Sequence, residues 1–405
     1  MRPIIACFIT LLMFSCHNEI KDKNLEVGTY RAWLTVQDNE KLPFIFEVKS
    51  PHSLNIYNAE EIIEIDEIEY RNDSVYIKAP VFEGYLIAKI SKEESLHGYY
   101  VKESLDRVVP FRAEGHENNR FDVTSKPTKD VSGIWETVFS KDIADEEYIA
   151  KGIFNQKGDK VTGTFRTTTG DYRYLEGVMD GDEMKLSTFD GAHAFLFTAT
   201  VTDSTMKGHF YSGNHWKEPF VAKRNETYEL PGANDLTFLK EGYDGIEFTF
   251  PNTSDELVSL RDDRFRDKVV IVQIMGTWCP NCLDESKYYS EYYKENKAKG
   301  IEIVALAFEY AKSKEKAISS IDRLQSNIGI DYPILLAQFG SSDKAKAQEK
   351  LPMLNHVLSY PTSIFIDKTG KVRKIHTGFN GPATGEKYIE FKAEFEEFVD
   401  GLLKE

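Results

Sequence analysis

The feature that most constrains this chain is a pair of cysteines, Cys279 and Cys282, placed directly after an apolar run of strand length. The run covers residues 269–274, and residues 280–299 have a helical pattern that ends at Gly300. Two intervening residues bring the thiols within bonding distance across the first turn of a helix. The sequence therefore predicts a strand that leads to a reactive dithiol at a helix N-terminus.

The position of each cysteine in this helix predicts its chemical role. Cys279 lies at the N-terminal end, where unpaired N–H groups and the helix dipole stabilise a thiolate. Pro280 suits the first turn because the N–H that it lacks would have no partner there. Cys282 lies one turn further in and is better shielded. We therefore expect Cys279 to be the attacking nucleophile and Cys282 the resolving thiol.

The N-terminus has the pattern of an export signal. An apolar run over residues 4–14 is too short to span a bilayer, which needs about 20 apolar residues. The run ends at Ser15-Cys16, which resembles the lipobox of bacterial lipoproteins. We expect a lipoprotein signal peptide over residues 1–15, a lipid on Cys16 and a polar tether over residues 16–27. The protein would then lie in the cell envelope, lipid-anchored on the periplasmic face or at the outer-membrane surface. An ordinary signal peptide is the alternative.

The number of cysteines adds to this interpretation. The chain has four, of which Cys7 would leave with the signal peptide and Cys16 would carry lipid. Exported proteins reside where disulfides form and persist, yet only Cys279 and Cys282 remain to form one. A bridge that closes so short a loop adds little stability. The pair is therefore expected to react.

The region from residue 28 to about 225 is typical of β structure, with short β-branched and aromatic runs between polar turns. Four motifs of its first half return in its second half, in the same order and at nearly constant offset. The pairs are 28–30 with 133–135, 82–84 with 189–191, 96–100 with 206–210, and 109–113 with 218–222. The repetition predicts two tandem all-β modules, small antiparallel barrels or sandwiches, over residues 28–116 and 130–225.

After a connector that contains Pro231-Gly232, strands begin to alternate with helices. Strands are predicted at 301–308, 363–367 and 372–376, and helices at 312–327 and at the C-terminus. This alternation predicts a layered α/β domain over residues 237–405.

A second motif, Tyr360-Pro361-Thr362, directly precedes the predicted strand at 363–367. Together with residues 276–279 and the segment 248–270, it resembles the TlpA/ResA-like branch of the thioredoxin superfamily. Members of that branch are exported, membrane-attached disulfide reductases. The resemblance implies a thioredoxin-like fold in which a cis peptide bond precedes Pro361 and this loop faces the cysteines.

The same resemblance implies which residues contact substrate. The backbone of Tyr360 is expected to pair with an extended substrate segment. The full set of expected substrate-binding residues comprises Trp278, Pro280, Tyr360, Pro361 and Thr362.

Glu285 matches the acidic residue that follows the second cysteine in this branch. Two positions depart from the pattern: Lys287 replaces a usual proline, and Gln273 replaces the buried acid that thioredoxin itself has on the strand. Because an amide cannot take up the proton of a thiol, Glu285 becomes the expected acid/base. A solvated glutamate on the helix surface is the alternative.

Composition and spacing argue against several other classes. The formal charge of −16 disfavours nucleic acid and anionic lipid as partners. A zinc site usually needs a second cysteine pair, and a haem attachment motif needs a histidine where Leu283 stands. The peroxiredoxin pattern would need a proline at Val272. We expect no cofactor and no metal, and we interpret His193, His209 and His215 as ordinary histidines.

The predicted function is that of a membrane-anchored, extracytoplasmic thiol–disulfide oxidoreductase. It would reduce disulfide-containing protein substrates with electrons from a membrane redox partner. A disulfide oxidase or isomerase of the same fold is one alternative, because direction depends on reduction potential. A surface ligand-binding lipoprotein with an accessory redox domain is another. The β modules have no cysteine and no ionisable cluster evident in the sequence, so the chemistry is expected after about residue 240.

Overall fold

The computed structural model describes residues 24–91 and 95–405. The predicted signal peptide and Cys16 lie outside the described residues. Within those two ranges, no helix combines the length and the apolar character needed to cross a bilayer. Three units follow one another along the chain, namely two antiparallel β sheets and one mixed α/β domain.

The first unit is a nine-stranded antiparallel sheet with strand order β4-β3-β2-β1-β9-β8-β7-β6-β5. Alternate residues along its strands are buried, as a sheet with one covered face requires. Phe44, Phe46 and Phe111 are among the largest buried side chains. Its strands are β1 (Gly28–Thr35), β2 (Lys41–Ser50), β3 (Ser53–Asn58), β4 (Glu61–Ile65), β5 (Ile68–Arg71), β6 (Ser74–Lys78), β7 (Tyr85–Ile90), β8 (Ser95–Lys102) and β9 (Arg107–Gly115).

The second unit is a closed barrel, because its strand β11 pairs with both β10 and β12 and so joins the two ends of the sheet. Trp135, Phe165, Phe197 and Phe220 fill the interior. Its strands are β10 (Gly133–Phe139), β11 (Tyr148–Lys157), β12 (Lys160–Thr167), β13 (Gly170–Asp171), β14 (Leu175–Asp180), β15 (Glu183–Phe189), β16 (Ala194–Val201), β17 (Thr205–Ser212) and β18 (Trp216–Arg224). The short strand β13 pairs with β12 and lies outside the closed ring of strands.

The repeated sequence motifs occupy equivalent places in the two sheets. The first pair opens β1 and β10, the third lies in β8 and β17, and the fourth lies in β9 and β18. Gly28 and Gly133 start their strands with φ of 150° and 112°, a conformation that glycine adopts readily. This correspondence supports the interpretation of two related modules, although one sheet is open and the other is closed.

The third unit is an α/β domain whose main sheet has the order β23-β22-β21-β24-β25. β21 and β22 pair in parallel and are buried throughout, as expected for central strands covered on both faces. The strands are β19 (Thr249–Pro251), β20 (Leu257–Ser259), β21 (Val269–Met275), β22 (Ile301–Phe308), β23 (Ile334–Gln338), β24 (Thr362–Ile366) and β25 (Val372–Thr377). The helices are α1 (Pro280–Asn296), α2 (Lys314–Ile328), α3 (Lys344–Lys350) and α4 (Glu386–Lys404).

The three units share hydrophobic cores rather than meeting only at polar surfaces. Ala79, Val81 and Phe82 of the first unit belong to the buried cluster of the α/β domain, as does Ala192 of the second. Phe189 of the barrel lies in turn in the core of the first sheet, where its ring stacks on Phe44 at a centroid distance of 4.4 Å. The β units are thus packed against the domain that carries the cysteines.

Candidate active site

The two cysteines lie where the central strand β21 passes into helix α1. Cys279 caps the helix, and its Sγ accepts a hydrogen bond from the backbone N–H of Cys282 at 3.2 Å. The two residues are joined by a disulfide bond, with their Cα atoms 5.2 Å apart. Cys279 retains 6% of its surface exposed and Cys282 retains none. The difference in exposure agrees with Cys279 as the sulfur that an external thiol or disulfide reaches.

The loop before β24 faces these cysteines. The peptide bond between Tyr360 and Pro361 is cis, and the carbonyl oxygen of Tyr360 lies 3.5 Å from Cys279 Sγ. Thr362 is fully buried, and its hydroxyl donates to the carbonyl of Ser359 at 2.9 Å. Its side chain therefore shapes the loop, whereas the backbone of Tyr360 lies directly beside the reactive sulfur.

Trp278 forms an aromatic wall next to Cys279. Its indole N–H donates to the carbonyl of Phe308 at 2.9 Å, which fixes the ring. The ring lies 5.5 Å from that of Tyr310 and 5.4 Å from that of Tyr360, between centroids. Of the residues expected to contact substrate, Pro280 is buried and Trp278 is partly exposed.

Glu285 is fully buried one helical turn after Cys282, so it is not a solvated surface glutamate. Its carboxylate accepts hydrogen bonds from Gln273 Nε2 at 2.8 Å, Ser363 Oγ at 3.0 Å and Tyr289 OH at 3.3 Å. Burial raises the pKa of Glu285 to about 7 despite these donors. A carboxyl group with such a pKa can exchange a proton near neutral pH.

A second buried acid, Glu309, was missed by the sequence analysis. It follows the apolar strand β22, and its carboxylate accepts hydrogen bonds from the Thr277 backbone N–H and hydroxyl, both at 2.7 Å. Burial raises the pKa of Glu309 to about 7. An acid directly after the apolar run at residues 303–308 was the signal that could have found it. Glu309 holds the loop that leads into Trp278 and Cys279.

The β barrel reaches the active-site helix through Arg173. This buried guanidinium donates to the carbonyl of Pro280 at 3.1 Å and pairs with Asp284 in the next turn of α1. It also pairs with Glu61 of the first sheet and lies 3.3 Å from Asp190 of the barrel. The expectation that the β modules hold no ionisable cluster is therefore wrong. These charges are far apart in sequence, and only tertiary packing assembles them.

The loop before Arg173 makes further backbone contacts around the cysteines. Asn281 Nδ2 donates to the carbonyl of Asp171 at 3.1 Å. The carboxylate of Asp171 accepts from the Gly381 N–H at 2.6 Å, and Ser359 Oγ donates to the carbonyl of Thr169 at 2.9 Å. One barrel loop thus contacts both the helix start and the loop that contains Pro361.

The three barrel histidines lie in separate environments. His193 Nδ1 lies 3.2 Å from Asp190, and its ring stacks on Phe195. His209 lies on β17 beside Tyr211. His215 lines a cavity between the β units and Trp278, where burial lowers its pKa to about 4.

The parallel β21–β22 pair, the cysteine pair that caps α1 and the cis peptide before Pro361 define a thioredoxin-like dithiol domain. Residues 242–375 match the model of the AhpC/TSA family. The chain is a thiol–disulfide oxidoreductase, and its domain over these residues is similar to the thioredoxin family.

Individual relatives match the same part of the chain. The thiol-disulfide oxidoreductase ResA of Halalkalibacterium halodurans is 26% identical over 161 residues, which cover 38% of this chain and 79% of the relative. ResA of Bacillus subtilis is 28% identical over 142 residues, or 35% and 69% of the two chains. A solved thiol-disulfide oxidoreductase from Bacteroides fragilis aligns at 20% identity with a TM-score of 0.27, over 37% of this chain and 99% of its own.

Proposed function

We propose that this protein reduces disulfide bonds in exported proteins. The observation that carries the proposal is the placement of Cys279, which caps α1 and lies 3.5 Å from the Tyr360 carbonyl. An extended substrate segment that pairs with the backbone of Tyr360 would present its sulfur to Cys279. Trp278 and the loop at Pro361 complete the proposed substrate-binding surface. The expectation that Pro280 and Thr362 contact substrate through their side chains is not met, because both are buried, and they shape this surface from behind.

The reaction begins with the reduced form of the pair. The Cys279 thiolate attacks one sulfur of the substrate, forms a mixed disulfide and releases the other substrate sulfur as a thiolate that takes up a proton. Cys282 then loses its proton and attacks Cys279 Sγ, which releases the second substrate thiol. Two electrons pass to the substrate and leave the Cys279–Cys282 disulfide. A membrane dithiol partner is proposed to reduce this disulfide again.

Glu285 is the proposed acceptor of the Cys282 proton. It lies on the same helix face one turn away, because side chains at i and i+3 are neighbours on a helix. Its pKa of about 7 lets the carboxylate take up a proton and return it near neutral pH. Gln273 supports this role. Its side-chain amide donates a hydrogen bond to the Glu285 carboxylate and does not itself titrate.

We also propose that the protein is lipid-anchored in the cell envelope through Cys16. The apolar run over residues 4–14 and the Ser15-Cys16 pair support this proposal. Two or three acyl chains would hold the protein stably, since a single chain gives only marginal binding. Residues 16–27 would act as the tether, followed by β modules over 28–116 and 130–225 and a redox domain over 237–405.

Reduction of insulin by the reduced protein tests the proposed function. Cys279→Ser is expected to abolish turnover. Cys282→Ser should instead accumulate mixed disulfides through Cys279, because nothing resolves the intermediate. The reduction potential of the Cys279–Cys282 pair tests whether the protein reduces or oxidises its substrates. A reductase is expected to lie near thioredoxin's value of about −270 mV, whereas an oxidase is expected closer to about −120 mV, the value of a strongly oxidising dithiol protein. An inert wild-type protein with an intact cysteine pair would contradict the proposal.

A further inference from the structure

A cavity of about 330 Å³ lies between the two β units and the active-site loop. Lys102, Arg107 and His215 contribute its basic groups, and Trp278 and Tyr310 form the wall next to the cysteines. Its volume lies near the lower end of the range for small-ligand sites, about 300–1,000 Å³. Because Trp278 directly precedes Cys279, the cavity borders the active-site loop, and a substrate held at Cys279 has this cavity beside it.

Lys102 and Arg107 lie directly opposite each other on β8 and β9, so their side chains leave the same face of the sheet. Lys102 is 8% exposed, and among the residues that the structure describes its ammonium donates only to the carbonyl of Ala192, at 3.2 Å. Arg107 is half-buried. In the described part of the chain, neither cation forms an ion pair with a carboxylate. Two adjacent basic groups without a counter-ion are costly unless an anion joins them.

The acids nearest this cavity, Asp190 and Glu83, form no direct ion pair with Lys102 or Arg107 among the described residues. Asp190 lies within ion-pairing distance of Arg173 and His193. Glu83 lies beside the hydroxyl of Tyr310, and its charge and that of Asp190 act on Lys102 without a direct ion pair. Burial and the charge of Arg107 lower the pKa of Lys102 to about 8. The whole chain has 66 acidic and 50 basic residues. In so acidic a protein, an unpaired basic pair beside the active site points to an anion supplied from outside.

We infer that this cavity binds a carboxylate of the disulfide substrate, and so selects substrates that have an acidic group close to the attacked disulfide. This inference rests on the proposed function and adds a substrate class to it. Arg107 and Lys102 would donate hydrogen bonds to the carboxylate, while Trp278 and Tyr310 contact the chain that links it to the sulfur. A carboxylate is the class favoured here, because charged hydrogen bonds to Arg and Lys are its usual partners in proteins.

Two disulfide-bonded peptides that differ only in Glu or Gln next to one cysteine test the inference. The full-length reduced protein is expected to reduce the Glu peptide with kcat/KM at least about tenfold higher, the value of one charge-assisted hydrogen bond. Arg107→Met should remove this preference, and Arg107→Lys should retain part of it. Lys89→Met changes an exposed lysine of the same sheet and serves as the control, which should keep the preference.

Equal kcat/KM for the two peptides, or a preference that survives in Arg107→Met, would overturn the inference. Glutathione disulfide is tested in parallel. If it shows the same dependence on Arg107 and a higher kcat/KM than the Glu peptide, the carboxylate comes from a small disulfide rather than from a protein. Unchanged far-UV circular dichroism confirms that each variant folds.

Calorimetric titration of the oxidised protein with the two peptides separates this inference from the proposed function. Binding that is tighter for the Glu peptide and lost in Arg107→Met supports the carboxylate site even where neither peptide is reduced. Failure to reduce either peptide then counts against the proposed function alone. Equal binding of the two peptides counts against the site alone.

Discussion

Arg173 of the β barrel donates a hydrogen bond to the carbonyl of Pro280, the first residue of the active-site helix, at 3.1 Å. The same guanidinium pairs with Asp284 and Glu61, so one side chain connects both β units to the helix that holds the cysteines. The β units therefore help to fix the position of the dithiol and are not only spacers before the redox domain.

Arg173→Met is expected to lower the free energy of unfolding by about 3–5 kcal/mol, because it leaves Asp284, Glu61 and Asp190 buried without their cation. Burial already raises the pKa of Asp284 to about 6, and loss of the Arg173 charge raises that pKa further above its value in the unfolded chain. The loss should therefore be larger at pH 8 than at pH 5, where protonation relieves the repulsion. Urea unfolding of the wild type and the variant at both pH values measures this loss in the free energy of unfolding. Arg261→Met removes an exposed pair with Glu247 and should cost less than about 1 kcal/mol.

Phe82→Ala tests whether the first β sheet and the redox domain unfold together. Phe82 is 7% exposed and belongs to the redox-domain core, so its truncation should cost about 3–5 kcal/mol. In the reduced protein, alkylation of Cys282 in urea reports on the redox domain, and tryptophan fluorescence reports mainly on the β units, which hold Trp33, Trp135 and Trp216. The midpoints of both transitions should shift together to a lower urea concentration. Phe238→Ala, at a side chain that is 55% exposed, should shift neither by more than about 0.5 kcal/mol.

Glu285→Gln is expected to lower kcat for disulfide reduction and to remove an inflection near pH 7 from its pH profile, because the pKa of Glu285 is about 7. The folded pKa is raised above that of an exposed glutamate, so the folded state holds the extra proton. Wild-type stability should therefore fall as pH rises from about 4.5 to 7, and the variant should lose the part of this dependence that Glu285 contributes.

Glu309→Gln provides the comparison for that result. Its pKa is also about 7, so this variant should lose a similar part of the pH-dependence of stability. Glu309 contacts Thr277 rather than the turn that follows Cys282, so the kinetic inflection should remain. If Glu285→Gln retains the wild-type kinetic profile, Glu285 has no part in proton transfer.

Cys16→Ser is expected to release the protein from membranes or to block its maturation, because acylation of Cys16 is the proposed anchor. Cys7→Ser lies in the predicted signal peptide and should leave anchoring unchanged. Membrane fractionation and the mass of the mature N-terminus measure both variants. Wild-type membrane association of Cys16→Ser would refute the lipid anchor.

Local patterns were enough to predict the elements around the cysteines. An apolar run, a Cys-x-x-Cys helix start and a terminating Gly300 predicted β21, α1 and the start of β22 to within a few residues. The strand β23 and the short helix α3 were not predicted, because neither has a long periodic pattern of its own. The motif echoes likewise indicated two β modules, but pattern alone did not distinguish an open sheet from a closed barrel.

The sequence by itself determined that Cys279 and Cys282 lie at a helix N-terminus, because spacing along one helix is a local property. It also determined that Glu285 shares their helix. Only the tertiary structure decided that Glu285 is buried with a raised pKa, that Glu309 holds the loop before Trp278, and that Arg173 pairs with Asp284. Burial and ion pairing depend on which distant segments pack together, and residues more than 100 positions apart leave no periodic trace of that contact in the chain.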